Sequence, residues 1–182
     1  MKSQYYHKRA SILFILFLLM FILVSCNNNK IDKNNFKVTA FLGGSSIFDA
    51  FDTTQIIYVV GKLHNTSNDT LSFLSMTCSW DDSWNVSSKN LELIKNICFS
   101  NVPILIKLGP NESMLNYLSL KPLKPFKDMQ DEKFIIGFNL VKADTVEFSK
   151  SIKMLEETKN YFWSDTLQLN KLFRFNTIEK EK

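Results

Sequence analysis

Apolar and polar residues alternate along this chain with two different rhythms. Residues 12–24 are apolar without interruption and follow the basic residues Lys2, Lys8 and Arg9. Thirteen apolar residues are too few to cross a hydrocarbon core of about 30 Å comfortably as a helix, but they suit the hydrophobic stretch of an export signal. Residues 27–35 (NNNKIDKNN) are polar and aperiodic, so they bury too little surface to offset the entropy of ordering them and are expected to be a flexible tether. From Phe36 onward the period is two, the period of strands.

Phe36, Val38, Ala40 and Leu42 alternate with Lys37, Thr39 and Phe41 until the Gly-Gly-Ser-Ser stretch at 43–46, which predicts a strand and a turn. Residues 55–63 are β-branched and aromatic and end at the polar cluster 64–69, a second strand and a loop. Residues 70–80 place Leu74, Met76, Cys78 and Trp80 on one face, a third strand. Weaker apolar spacing at 91–98 reads as strand. Residues 104–108 and 114–120 form two more around the turn chemistry of Gly109-Pro110-Asn111-Glu112-Ser113, and Pro122 and Pro125 mark a loop. Residues 133–142 carry the cleanest alternation. Residues 149–160 break the rhythm without Gly or Pro and predict a short helix or an irregular excursion, after which 161–169 return as a last strand.

Seven to nine short strands separated by polar turns predict an all-β fold, an antiparallel β-sandwich, with one short helix near 149–160 and an N-terminal signal helix. The expected organisation is a signal at 1–25, a tether at 26–35, a sandwich at 36–172 and a tail at 173–182. The Phe173 and Phe175 side chains of the C-terminal segment are expected to pack on their own sandwich, the alternative being to pair with another chain's edge.

Leu23-Val24-Ser25-Cys26 closes the apolar run and resembles the lipobox of bacterial lipoproteins. That resemblance implies diacylglycerol on the Cys26 thiol, removal of residues 1–25, and a membrane partner reached through the lipid. No acidic cluster of the kind similar to a surface-export signal in some Bacteroidetes lipoproteins follows Cys26, which favours an outer-membrane site facing the periplasm, the alternative being exposure at the cell surface. A transmembrane anchor and a soluble secreted form are the competing readings. A second resemblance covers about half the chain, residues 55–140. Residues 63–71 and the later Leu108-Gly109-Pro110-Asn111-Glu112-Ser113 are similar to the N-x-S/D and L-x-P-x-E-S pair of bacterial extracytoplasmic immunoglobulin-like domains and of BsuPI-type proteinase inhibitors. It implies an immunoglobulin-like fold and carries over no active-site residue.

Charge narrows the partners. Taking Lys2, Lys8 and Arg9 from the 22 basic residues leaves 19 against 18 acidic ones after Cys26. A nearly neutral chain without a basic patch gives no reason to expect nucleic acid. The expected partner is another protein or an envelope component.

Catalytic and metal chemistry have little to work with. His64 is the only histidine after the signal, and no nucleophile motif accompanies it, so neither an enzyme, a metal site nor a cofactor is expected. With Cys26 assigned to lipid, Cys78 and Cys98 remain as an even pair, either bridged or both buried as thiols. Trp80, Asp81, Asp82 and Trp84 put two indoles around two carboxylates. Such a loop suits a sugar or peptide ligand, although a core tryptophan and solvated aspartates are the simpler reading. Thr70, Thr145 and Thr166 each follow Asp and precede an apolar residue, which resembles the acceptor of Bacteroidetes O-glycosylation; an Asp-Thr pair that merely begins a strand is the plain alternative.

Overall fold

The second strand, Gln55–Asn65 (β2), shows why the chain folds as it does: its odd-numbered residues 57, 59, 61, 63 and 65 face inward and are all buried. A computed structural model describes residues 35–47, 55–129 and 131–169, all within the compact unit Asp32–Lys182. The signal, residues 26–34 of the tether with Cys26 and its lipobox, and Phe173 and Phe175 lie outside the described residues.

β2 is flanked by β1 (Phe36–Ile47) and by β7 (Ser113–Pro122), both antiparallel to it, and β7 in turn pairs with β5 (Leu91–Leu93). The first sheet therefore runs β1-β2-β7-β5. The second layer is built from shorter pieces. β9 (Ile136–Asn139) lies between β10 (Tyr161–Trp163) and β4 (Trp84–Val86). β8 (Lys133–Phe134) pairs with β11 (Leu167–Gln168), and β3 (Leu71–Met76) with β6 (Pro103–Leu108). A bridge from Phe73 to Lys142, and a bond from the Leu74 N–H to the Val141 carbonyl, join β3 to the chain just beyond β9. β3 and β4 thus fill one row of the layer in succession.

The two layers close on an aromatic core, which makes the fold an all-β antiparallel sandwich. Phe138 of β9 has Phe73, Trp84 and Phe36 around it at centroid distances of 5.6, 5.0 and 6.1 Å, and Phe162 meets Phe36 edge-on at 5.1 Å. Tilted and edge-on contacts of this kind suit the ring quadrupoles. The one helix among the described residues, α1 (Phe148–Glu157), carries its apolar stripe on one side and packs against β3 and β6. Asn139 ties down the turn after it. Its Nδ2 donates to the Thr158 carbonyl at 2.7 Å and its Oδ1 accepts from the Asn160 N–H at 2.7 Å.

Several boundaries differ from expectation, each for a local reason. Residues 43–46 are not a turn: β1 continues to Ile47, and Gly43 is the extra residue of a bulge where the register steps from Leu42↔Val59 to Gly44↔Tyr58. The strand expected over 70–80 stops at Met76: the Thr77 N–H still bonds the Val102 carbonyl opposite it, but the Cys78 and Ser79 N–H groups that follow are taken by Asn101 Oδ1 instead of a facing strand. Trp80 consequently opens a 3-10 turn, Trp80–Ser83. The 91–98 strand keeps only Leu91–Leu93. The stretch 133–142 divides at Ile135, whose N–H is taken by Ser87 Oγ, while the next N–H, of Ile136, is taken by Ser164 Oγ. His64 lies in β2 rather than in a loop, and Pro122 is the last residue of β7 rather than part of one. Eleven strands are described instead of seven to nine, because long rows of the second layer are interrupted.

Candidate functional site

The Trp80 to Trp84 segment folds so that its four candidate residues separate. Asp81 is not a solvated loop carboxylate: it is 2% exposed, and its Oδ2 accepts the Asn96 N–H at 2.6 Å. Asp82 faces outward and pairs with Lys95 at 2.7 Å. Trp84 is 3% exposed, with its six-membered ring over Gly61 on the opposite sheet. Trp80 is half-buried. The two indoles are therefore not displayed as an open stacking platform. The Asp81 bond ties Asn96, two residues beyond the Ile94 N–H that bonds Ser119 on the first sheet, to the turn that leads into β4 of the second, and two openings adjoin this region.

The first opening is a groove of about 820 Å³ between β4 and β5. Asp82, Glu92, Lys95, Lys121, Lys159 and Tyr161 contribute to its walls. Lys121 sits opposite Glu92 in the β5–β7 ladder and Lys95 is occupied by Asp82, which leaves Lys159 as one positive charge in excess on these walls.

The second opening is a slot of about 350 Å³ between β6 and β7. Its lining is mostly apolar, from Met76, Ile104, Ile106, Met114, Leu115 and Tyr117 to the rings of Trp80, Trp84 and Phe138, with Ser75, Thr77 and Asn116 as its polar members. Two buried donors belong to side chains that line it, Trp84 Nε1 and Asn116 Nδ2, and among the described residues neither has a hydrogen-bond partner. A buried donor left unpaired costs about 1–3 kcal/mol, so an acceptor entering this slot would be favoured beside either of them. Asn116 is the register partner of Gly61, the residue under the Trp84 ring, so both donors belong to the same small region of the interior.

The slot continues onto an exposed apolar face. Phe41, Val60 and Tyr117 stand in line across β1, β2 and β7, with Leu115 one step along β7 on the same face. Tyr117 is 72% exposed and Phe41 and Leu115 are more than half exposed. No sequence pattern singled out Asn116, Tyr117 or this row. The alternation of β1, β2 and β7 was enough to place them on their faces, but not to show that the outward residues of three adjacent strands would be apolar together.

Cys78 and Cys98 are bridged, with an S–S distance of 2.13 Å and Cα atoms 5.9 Å apart. The segment closed by the bridge includes the Asp81–Asn96 bond, and just beyond it Phe99 is 99% exposed. Thr70, Thr145 and Thr166 are all exposed, ahead of β3, α1 and β11, with an exposed Asp before each.

The two halves of the N-x-S/D and L-x-P-x-E-S pair meet at one side chain. Asn65 is fully buried. Its Nδ2 donates to the carbonyls of Asp69 at 2.8 Å, Leu108 at 3.0 Å and Gly109 at 2.9 Å, while Oδ1 accepts from the Ser67 N–H and hydroxyl. Glu112 completes the turn, accepting the Gly109 N–H on Oε2 at 2.6 Å, and Asn111 adopts a φ of 59°. Pro110, Asn111, Glu112 and Ser113 remain exposed on this braced turn. His64 accompanies it on the outer face, its Nδ1 2.8 Å from Ser113 Oγ. Among the described residues no three His, Cys, Asp or Glu side chains come together as metal ligands, and no helix is long and apolar enough to cross a membrane.

No protein family, curated protein or solved structure matches this chain.

Proposed function

We propose that this protein is a lipid-anchored, non-catalytic binding module of a bacterial envelope, held by Cys26 in the outer membrane and facing the periplasm. The anchor rests on the lipobox-like Leu23-Val24-Ser25-Cys26 after a basic segment and a short apolar run. The binding role rests on one observation: an apolar opening into the sandwich, with two unpartnered donors, is continuous with an exposed apolar sheet face. Contiguous exposed apolar surface on a single domain marks an interaction site. The first-sheet order β1-β2-β7-β5 supports an immunoglobulin-like reading, since it has the form of the A-B-E-D sheet of such domains.

Crosslinking in the native envelope with the lipid in place tests the binding role. A discrete protein or envelope polymer attached to the module is the expected result, and recovery of lipid alone would count against it. For the anchor, Cys26→Ser should yield an uncleaved precursor that takes up no labelled palmitate.

A second reading, a proteinase inhibitor, is favoured by the exposed turn at Pro110 to Ser113, which Asn65 and Glu112 hold in one conformation from beneath. A loop pre-organised in this way loses little entropy on entering an active-site cleft. Titration against a panel of proteinases checks it, and undiminished activity throughout removes it.

A further inference from the structure

We infer that the slot between β6 and β7 receives an extended peptide of a partner protein, which adds as a strand along the edge of β7 and sets an apolar side chain into the interior. The inference deepens the binding-module reading and rests on it.

The backbone of β7 provides the first argument. Ladder bonds in an antiparallel pair alternate, so successive residues turn their N–H and C=O to opposite sides. The Asn65 N–H bonds the Glu112 carbonyl towards β2, and the Ile94 N–H bonds the Ser119 carbonyl from the other side. These two bonds set the parity of the whole strand: Leu115 and Tyr117 turn their backbone groups away from β2. β5 and Ile94 cover that side only from Ser119 to Pro122. Among the described residues nothing pairs with the backbone of Leu115 or Tyr117 on that side, and a row of such groups is a template for another strand.

The slot provides the second. A strand lying beside Leu115 and Tyr117 runs along its mouth, and every other side chain of that strand points inward, between Ile104, Ile106 and Met114. The two unpartnered donors, Trp84 Nε1 and Asn116 Nδ2, then meet an acceptor, which selects an entering group that carries a carbonyl or amide oxygen next to an apolar part. Main-chain pairing supplies affinity in such additions and the pocket supplies selectivity. A small apolar ligand would satisfy the slot but would leave the β7 edge unpaired; a peptide satisfies both. Leu115 and Tyr117 flank the peptide on its outer side, where their exposed rings and methyls would be covered.

The test uses the full-length lipidated protein in detergent and a panel of synthetic peptides about seven residues long that alternate apolar and polar residues, some ending in an apolar residue with a free carboxylate. Binding is read by tryptophan fluorescence and by hydrogen exchange. The expected result is a change in indole emission together with at least about tenfold slower exchange at the Leu115 and Tyr117 amides. N-methylation of the peptide amides that face β7 should weaken binding about tenfold or more, and Asn116→Leu should weaken it about fivefold. Met114→Trp, which fills the slot, should abolish it; where that variant fails to fold, Asn116→Leu and the N-methylated peptides decide. A panel that leaves both amides unprotected, or N-methylated peptides that bind as well as their parents, overturns the inference. If envelope crosslinking recovers a partner that Met114→Trp in folded form, or Asn116→Leu, retains undiminished, the module binds elsewhere and only the slot is refuted. If it recovers no partner at all, the binding-module reading fails first.

Discussion

Gly61 lies so close beneath the Trp84 ring that a Cβ at that position would stand 2.5 Å from Cη2 and 2.8 Å from Cζ3. The ring has nowhere to retreat, being buried and edge-on to Phe138 at 5.0 Å. Gly61→Ala should therefore destabilise the fold by about 1–3 kcal/mol, the usual range for overpacking a closed core. The denaturant midpoint should fall while the slope of the transition stays unchanged. Gly137 gives the control. A Cβ there meets Trp163 Cε3 at 2.6 Å, but Trp163 is half exposed and can swing outward. Gly137→Ala should cost less than about 1 kcal/mol. Equal losses for the two variants would contradict this account of the interface between the sheets.

Asn65 joins two turns that are far apart in the chain, and its removal should be felt at both. Asn65→Ala leaves the Leu108 and Gly109 carbonyls short of a donor and is expected to cost about 3 kcal/mol. Asn65→Asp should do no better, because a carboxylate would face the carbonyls of Asp69, Leu108 and Gly109. Equilibrium unfolding of the two variants checks the ordering.

The legibility of this fold followed the range of the forces that shape it. β2 was readable because a half-buried strand writes its pattern into consecutive residues. The bulge at Gly43 was not, since Gly-Gly-Ser-Ser is equally good turn chemistry and only the facing strand decides that pairing continues through Tyr58. Asp81 reads as solvated in the sequence because no nearby residue announces the Asn96 N–H that accompanies it inward. Trp84 in the sequence suits either a ligand or the core; its burial over Gly61 depends on a residue 23 positions away. Leu108 to Ser113 was readable as a turn, whereas Asn65 as the side chain that braces it was visible only as half of a recurring pair of motifs. The slot was invisible, because it is the space left where β5 stops short along β7.

Reduction of the Cys78–Cys98 bridge should lower stability by about 3 kcal/mol on the chain-entropy estimate for a 20-residue separation. The effect should be local at first. Limited proteolysis under mild reductant is expected to cut near the exposed Phe99 before it reaches β2 or β7. Simultaneous loss of all regions would show that the bridge supports the whole sandwich.

Glu132 gives the fold an acid-sensitive component. Hydrogen bonding from the Ser88 hydroxyl, with lesser help from Asn90, Lys124 and Lys89, holds its carboxyl below the ordinary glutamate value against an opposing desolvation effect. A carboxylate whose folded pKa is depressed stabilises the protein above its unfolded pKa, and that stability disappears as pH falls through the folded value. Glu132→Gln should thus lower the unfolding midpoint near neutrality, and the difference from the parent should shrink towards pH of about 3. A gap that stays constant with pH would assign the effect to packing instead.

The ladders of the first sheet also determine how the domain would carry mechanical load. β1 leads in from the N-terminal side and lies along β2, which lies along β7. Tension entering at Phe36 and leaving through a ligand paired to β7 and pulled from its far end, beyond Ser119, would run parallel to all three strands. It would strain the ladder bonds together in shear instead of peeling them apart singly, so the same hydrogen bonds that build the sheet would let the domain resist being pulled open between its tether and its cargo.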